Sequence, residues 1–243
     1  MKKVFAAVIL IVFLLAIYLN RGYARLYENN YDDMSLFTSS PITLNNKNFQ
    51  TKVKYVAIGD SLTSGVGSKS IDKTLPYSVA QKIEQKMSTV LINFAIPGAT
   101  SQDIINYQLN SAIEEAPNYL TFLVGVNDIR VFLPKERYEQ NVDFILDQLS
   151  QKTSAKIIVF NIPNLGTKEL VYPPYDTIFD IQTREFNEVL TRICKSRNLT
   201  LIDIYNPTKN TFSKIPGFYS PDQFHPSGDG YLMWGSLVKD QDL

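Results

Sequence analysis

Ser61 stands in Gly59-Asp60-Ser61-Leu62-Thr63-Ser64-Gly65, and the single histidine of the chain, His225, stands far downstream in Asp222-Gln223-Phe224-His225-Pro226. A serine hydroxyl becomes a useful nucleophile when an imidazole takes its proton and a carboxylate fixes the imidazole tautomer. Asp222, three residues before His225, is suited to that last task. Pro226 suits the first position of a terminal helix, which would fix where His225 emerges. Acyl transfer also needs donors aimed at a developing oxyanion. The backbone N–H of Gly98, in Ile96-Pro97-Gly98-Ala99, and the side-chain amide of Asn127, in Gly125-Val126-Asn127-Asp128, would serve. Each feature alone is ordinary, because serine, asparagine and glycine populate turns and an isolated histidine is commonly structural. Four of them on one edge of a sheet are not ordinary. The Gly-x-Ser-x-Gly elbow of another hydrolase class does not fit, since Thr63 occupies its fifth position.

A single edge requires elements that end there together. Short apolar runs predict strands over residues 53–58, 90–95, 120–125, 156–161 and 199–204, and each chemistry-bearing segment but the last follows one of them. Between the strands, helical patterns fall near 76–88, 101–115, 135–151 and 180–196, with a final one near 226–239. Phe186, Val189, Leu190, Ile193 and Cys194 form a stripe at helical spacing, so Cys194 is expected in the core and not as a reactive thiol. Asp103 suits the first turn of a helix, and Asp103 and Asp128 are expected to be structural. Strands alternating with helices imply a parallel sheet covered on both faces, with ligands outside the carboxyl ends of its strands.

Taken together, Gly59-Asp60-Ser61-Leu62, Gly98, Gly125-x-Asn127-Asp128 and Asp222-x-x-His225-Pro226 resemble the four blocks of the SGNH hydrolases, or GDSL esterases. They occur in family order across residues 53 to about 239. One small departure is Ala95, where many relatives carry a glycine or small polar residue. The resemblance implies an α/β, flavodoxin-like three-layer fold whose five-stranded parallel sheet has the order 2-1-3-4-5. It also implies that Ser61 is the nucleophile and that Asp222 and His225 complete the triad. Ser61 N–H, Gly98 N–H and the Asn127 side chain would form the oxyanion hole. The substrate is then an ester, and no cofactor is needed. Transfer of the acyl group to a sugar hydroxyl, a lipase or lysophospholipase activity, and a surface binding module of the same fold are the competing readings.

The start of the chain belongs to a different environment. Lys2 and Lys3 precede sixteen residues, Val4 to Leu19, without a charge, and Asn20 and Arg21 end the run. That pattern predicts a signal-anchor over residues 1–26, with the amino terminus cytoplasmic and the remainder on the outer face of a membrane. Cleavage after Ala24, giving a secreted protein, is the alternative. Residues 27–52, rich in Asn, Asp, Ser and Lys, are expected to be a polar tether, and 53–243 the catalytic domain. The first 26 residues carry four basic groups and no acidic one, which leaves the rest acidic by four charges and without a footprint for nucleic acid. One histidine and one cysteine cannot assemble a His/Cys zinc site. Aromatics on two long connections, 163–179 and 205–224, are expected to line a cleft for short acyl groups, or else to cover the core beneath. The sequence leaves oligomeric state undetermined.

Overall fold

The computed structural model describes residues 2–25, 40–44, 51–166 and 170–243. Chain order runs α1 (Lys2–Arg25), β1 (Ile42–Leu44), β2 (Lys52–Gly59), α2 (Ser61–Ser64), α3 (Leu75–Glu84) and β3 (Ser88–Asn93). A short α4 (Ser101–Asp103) passes through a π-helical turn, Ile104–Gln108, into α5 (Leu109–Glu114). Then follow β4 (Tyr119–Leu123), α6 (Val126–Arg130), α7 (Lys135–Lys152), β5 (Lys156–Phe160), α8 (Tyr175–Ser196), β6 (Thr200–Ile202), α9 (Tyr205–Asn210) and α10 (Gly228–Gly235).

The sheet has the order β1-β3-β2-β4-β5-β6, and β2 to β6 are parallel. Without β1 this is the expected 2-1-3-4-5 arrangement. Tyr55, Val56, Ala57 and Ile58 of β2 are fully buried, as a central strand covered on both faces must be. One layer of helices pairs α3 with α10, and the other packs α7 against α5 and α8. The buried stripe of α7, Tyr138, Asn141, Val142, Ile145, Leu146 and Leu149, has the spacing that a helix lying on a sheet requires.

Six strands form where five were expected. The extra one, β1, comes from the segment read as a tether. It pairs antiparallel with β3 in the register Ile42↔Leu91, Thr43↔Val90 and Leu44↔Thr89. It covers the N–H and C=O groups of an otherwise open edge, and Leu44 is buried there. The other parts of that segment, 27–39 and 45–50, lie outside the described residues. The last helix also differs, starting at Gly228 and not at Pro226. Ser227 takes the N-cap, its Oγ accepting from Gly230 N at 3.2 Å, and Pro226 is left outside the helix. A serine oxygen can satisfy an unpaired N–H of the first turn, whereas a proline there only lacks one. Asp103 does sit in a first turn, closing a capping box in which its Oδ2 accepts from Thr100 N at 2.9 Å. Cys194 is buried on α8, and burial pushes its thiol up to about 11.

Chain order reverses between β2 and β4, with β3 on the far side of β2. In open α/β sheets such a switch point opens a crevice at the carboxyl ends of the two strands.

Candidate active site

Ser61 is the first residue of α2, directly past β2. Asp60 caps that turn, its Oδ1 accepting from Leu62 N at 2.9 Å, and Gly65 closes it in a left-handed conformation at φ 90°. Gly59 has no room for a side chain, because a Cβ there would strike Thr63 and the Leu123 carbonyl of the neighbouring strand. The backbone of Gly59 is gripped on both sides by one side-chain amide. Gln108 Nε2 donates to Gly59 O and Gly59 N donates to Gln108 Oε1, each at 2.9 Å. Gln108 is fully buried and ends the π-helical turn. Sequence reasoning passed over it. Its only signal is an amide on the inward side of an amphipathic helix, which has no meaning until a partner is seen.

Asp222 and His225 lie in a tight reversal closed by Ser220 N→His225 O at 2.9 Å and Ser227 N→Phe218 O at 2.7 Å, with Gln223 in the left-handed region at φ 61°. Asp222 Oδ1 accepts from Ser220 Oγ at 2.7 Å, Phe224 N at 2.8 Å and His225 N at 2.9 Å. Its Oδ2 meets His225 Nδ1 at 2.6 Å. On the other side of the ring, His225 Nε2 lies 2.9 Å from Ser61 Oγ. The three side chains that the sequence singles out therefore form one continuous line of hydrogen bonds. Burial acts to raise the Asp222 pKa, but the bond and charge of His225, with Ser220 Oγ and Phe224 N, outweigh it and hold the carboxyl at about 2. The imidazole is fully buried against the edge of Phe224, ring centroids 5.1 Å apart. Gly67 lets the loop after α2 approach this reversal, since a Cβ there would lie 2.9 Å from His225 Cβ.

Gly98 occupies the third position of a turn closed by Ala99 N→Ile96 O at 3.0 Å, with Pro97 before it and φ 83° at Gly98 itself. Proline followed by a left-handed glycine is the signature of a type II turn. The turn is tied to the serine segment through Ile96 N→Gly59 O at 3.1 Å. A Cβ at Gly98 would meet nothing within 4 Å, so conformation and not crowding requires glycine. Asn127, on α6, is buried and spends one amide hydrogen on Ala99 O at 3.0 Å, leaving the other. Among the described residues, the N–H groups of Ser61 and Gly98 donate to no protein acceptor.

Two more carboxyls stand behind these residues. Asp128 accepts from Ser101 N at 3.0 Å and from Ser101 Oγ, yet burial still pushes it up to about 6. Asp60, wholly enclosed, is pushed up to about 7 by burial, opposed by the Leu62 bond and reinforced by the charge of Asp128. Arg130, on the same short helix as Asn127, places its guanidinium 5.3 Å from the Phe224 ring centroid. Sequence reasoning did not single out Arg130 or Ser220. Among the described residues no group of three His, Cys, Asp or Glu side chains is disposed to hold a metal.

The model of the GDSL-like Lipase/Acylhydrolase family matches residues 57–233, which include Ser61, Gly98, Asn127, Asp222 and His225. The chain belongs to that family. This acylhydrolase is therefore a hydrolase of esters. Solved structures with the same fold include a lipase/acylhydrolase from Enterococcus faecalis, 23% identical, TM-score 0.61, covering 76% of this chain and 92% of that one. An acetylxylan esterase from Geobacillus stearothermophilus is 17% identical, TM-score 0.61, with coverages of 76% and 91%. An extracellular lipase from Streptomyces rimosus is 19% identical, TM-score 0.62, with coverages of 76% and 100%. At such identities the likeness carries the fold. No curated protein matches the sequence.

The aromatics of the acylhydrolase's long connections divide between the two uses expected of them. Tyr219 and Phe179 line a cleft of about 680 Å³ whose other walls include Asp176, Asp180, Lys209 and Asn210. Phe218 is instead fully buried, packed against Phe212, Tyr219 and Trp234. Tyr172 and Tyr175 turn to α1. Phe224 stands edge-on against the histidine. A small void of about 10 Å³ lies among Leu62, Val126, Leu165, Phe224, Pro226 and Trp234, of which Leu62 follows Ser61 and Phe224 and Pro226 flank His225 in the chain.

Proposed function

We propose that this acylhydrolase is a membrane-anchored serine esterase, with its catalytic domain outside the cytoplasm, that cleaves short-acyl esters. His225 takes the proton of Ser61 as Oγ attacks the ester carbonyl, and Asp222 stabilises the imidazolium that forms. Ser61 N–H, Gly98 N–H and the free Asn127 amide hydrogen receive the oxyanion. His225 then protonates the departing alcohol. Water, losing its proton to His225, attacks the acyl-enzyme, and the acid leaves as Ser61 recovers its proton. The observation that carries this reading is the line Asp222–His225–Ser61, 2.6 Å and 2.9 Å long in its two links. Ser61→Ala should lower kcat for a nitrophenyl ester by at least ~10³-fold while the far-UV circular dichroism stays the same. Turnover preserved in a folded Ser61→Ala protein removes Ser61 from the mechanism.

The short-acyl assignment rests on the two long connections, 163–179 and 205–224, neither of which carries the long aliphatic run that a deep acyl-chain tunnel would need. Across acetate, butyrate, octanoate and palmitate esters, kcat/KM should peak at the shorter acids. A peak at octanoate or palmitate would make the protein a lipase or lysophospholipase.

The anchor rests on α1, whose segment Lys3–Ala24 spans 22 residues and contains an 18-residue window of mean hydropathy 2.4, none of it buried. At ~1.5 Å per residue that reaches ~33 Å, enough for a ~30 Å hydrocarbon layer. Retention over cleavage is favoured by what the end of α1 touches. Tyr18 Oη donates to Pro173 O at 2.7 Å and Tyr175 Oη to Leu19 O at 3.0 Å. Gly22 is buried there, with space for little more than hydrogen beside Tyr175.

A further inference from the structure

The last turns of α1 do not simply point at the domain; they are part of its packing. Tyr18 lies against Tyr172 with ring centroids 5.3 Å apart, and Tyr23 stacks on Phe132 at 6.2 Å and meets Tyr175 at 6.3 Å. Phe179 completes the cluster from α8, 5.8 Å from Phe132 and 6.0 Å from Tyr175. These contacts fix a depth. Tyr18 stands one residue before the end of the uncharged run at Leu19, and six residues, about 9 Å along a helix, before the end of the candidate span at Ala24. If α1 crosses a bilayer, Tyr172 and Pro173, which touch Tyr18, lie at the level of the headgroups and not above them. Tyrosine is a side chain suited to that level, with an apolar body and a polar tip.

Beside this cluster the domain exposes apolar groups that nothing covers within the described residues. Val131 is 52% exposed, Phe132 41%, and Ile178, one turn along α8 from Tyr175, 36%. All three belong to connections or helices that begin at the carboxyl edge of the sheet, the edge that carries Ser61. The route from them to the site is short. Phe132 follows α6, which bears Asn127; Arg130 of α6 lies over Phe224; and Phe224 packs on His225.

We propose that Val131, Phe132 and Ile178, continuous with the docked end of α1, rest on the outer leaflet of the bilayer that α1 crosses, so that the domain is held with its candidate site against the membrane surface. The partner is the lipid bilayer itself, and the apolar side chains enter its interface while α1 fixes their orientation. The proposal rests on the anchor reading above, and its test separates the two.

The full chain, reconstituted in nanodiscs of phosphatidylcholine and phosphatidylglycerol in equal amounts, is labelled with an environment-sensitive fluorophore at Val131→Cys, Ile178→Cys, Lys152→Cys or Val12→Cys. Cys194 is buried and stays unlabelled. Lys152 ends α7 at the opposite edge of the sheet, and Val12 lies within α1. Lipid carrying a nitroxide on its acyl chain should quench the labels at Val12, Val131 and Ile178 and spare the one at Lys152. Quenching at Val12 with none at Val131 and Ile178 overturns the surface contact and leaves the anchor standing. No quenching at Val12 overturns both. Equal quenching at Lys152 and Val131 also overturns the proposal, since the domain would then have no preferred face.

Discussion

Asp222 shows how much one carboxylate can organise. Its Oδ1 takes the N–H groups of Phe224 and His225 and the hydroxyl of Ser220, which fixes the backbone that presents the imidazole, while Oδ2 holds Nδ1. The same bonds keep its pKa at about 2, against an ordinary 3.8. A depressed carboxyl contributes stability above its ordinary value, and that contribution is lost as the pH falls from about 4 towards about 2. Above that window Asp222 stays ionised, so the acid limb of esterase activity should reflect the uptake of one proton by a group other than Asp222. The plot of log kcat/KM against pH should therefore fall on its acid side with unit slope. It should keep that limb in Asp60→Asn, which removes the neighbouring carboxyl held at about 7 and retains a side-chain oxygen for the Leu62 bond. His225→Ala should abolish the limb with the activity; a limb of slope two, or one that disappears with Asp60, assigns the titration elsewhere. Asp222 and His225 were legible in the sequence because they are three residues apart and interact through a local turn. Ser220, two residues further upstream, was not, because nothing distinguishes a capping serine from a solvated one before the turn is seen.

At the scale of elements, the strands were legible because burial on both faces writes a run of apolar residues, as in Tyr55-Val56-Ala57-Ile58. Strand β1 was not, since Ile42-Thr43-Leu44 is too short to alternate, and its pairing is dictated by the open edge of β3. The 101–115 helix was legible as a helix but not as one interrupted by a π-helical turn. That turn brings Gln108 to Gly59, where the amide continues the hydrogen bonding of β2 just before the chain bends into Ser61. Gln108→Leu keeps the volume and deletes both bonds. Gly59 O retains Ile96 N as a donor, whereas Gly59 N–H is left buried and unpaired, a loss of about 1–3 kcal/mol. The urea midpoint should fall accordingly. Because the bond lies directly before Ser61, kcat should drop more than KM rises. A variant with the lowered midpoint but wild-type kcat would show that Gln108 serves stability alone.

For the whole molecule, the arrangement joins two parts that obey different solvents. The domain encloses a core between two helical layers, while α1 exposes Val4, Phe5, Ile9, Leu10 and Phe13 along nearly its full length, which water does not tolerate on a free helix. The sequence made the apolar run legible, yet its sixteen uncharged residues are fewer than the 22 of the candidate span, because the helix takes in Lys3 before the run and Asn20, Arg21, Gly22, Tyr23 and Ala24 after it. Basic residues lie at both ends, Lys2 and Lys3 against Arg21 and Arg25, and the proposed orientation puts the first pair in the cytoplasm. Cysteine labelling in intact cells tests that orientation directly. Lys69→Cys, on the exposed loop between α2 and α3, should react with a membrane-impermeant maleimide without permeabilisation. Lys3→Cys should react only after the membrane is opened, and unlabelled wild type, with Cys194 buried, supplies the blank. Labelling of Lys3→Cys before Lys69→Cys would invert the topology and put the candidate site in the cytoplasm. Loss of the Lys3→Cys signal from a mature protein that appears in the medium would instead show removal of α1. In that case the Tyr18 and Tyr23 contacts would have no part in the working enzyme.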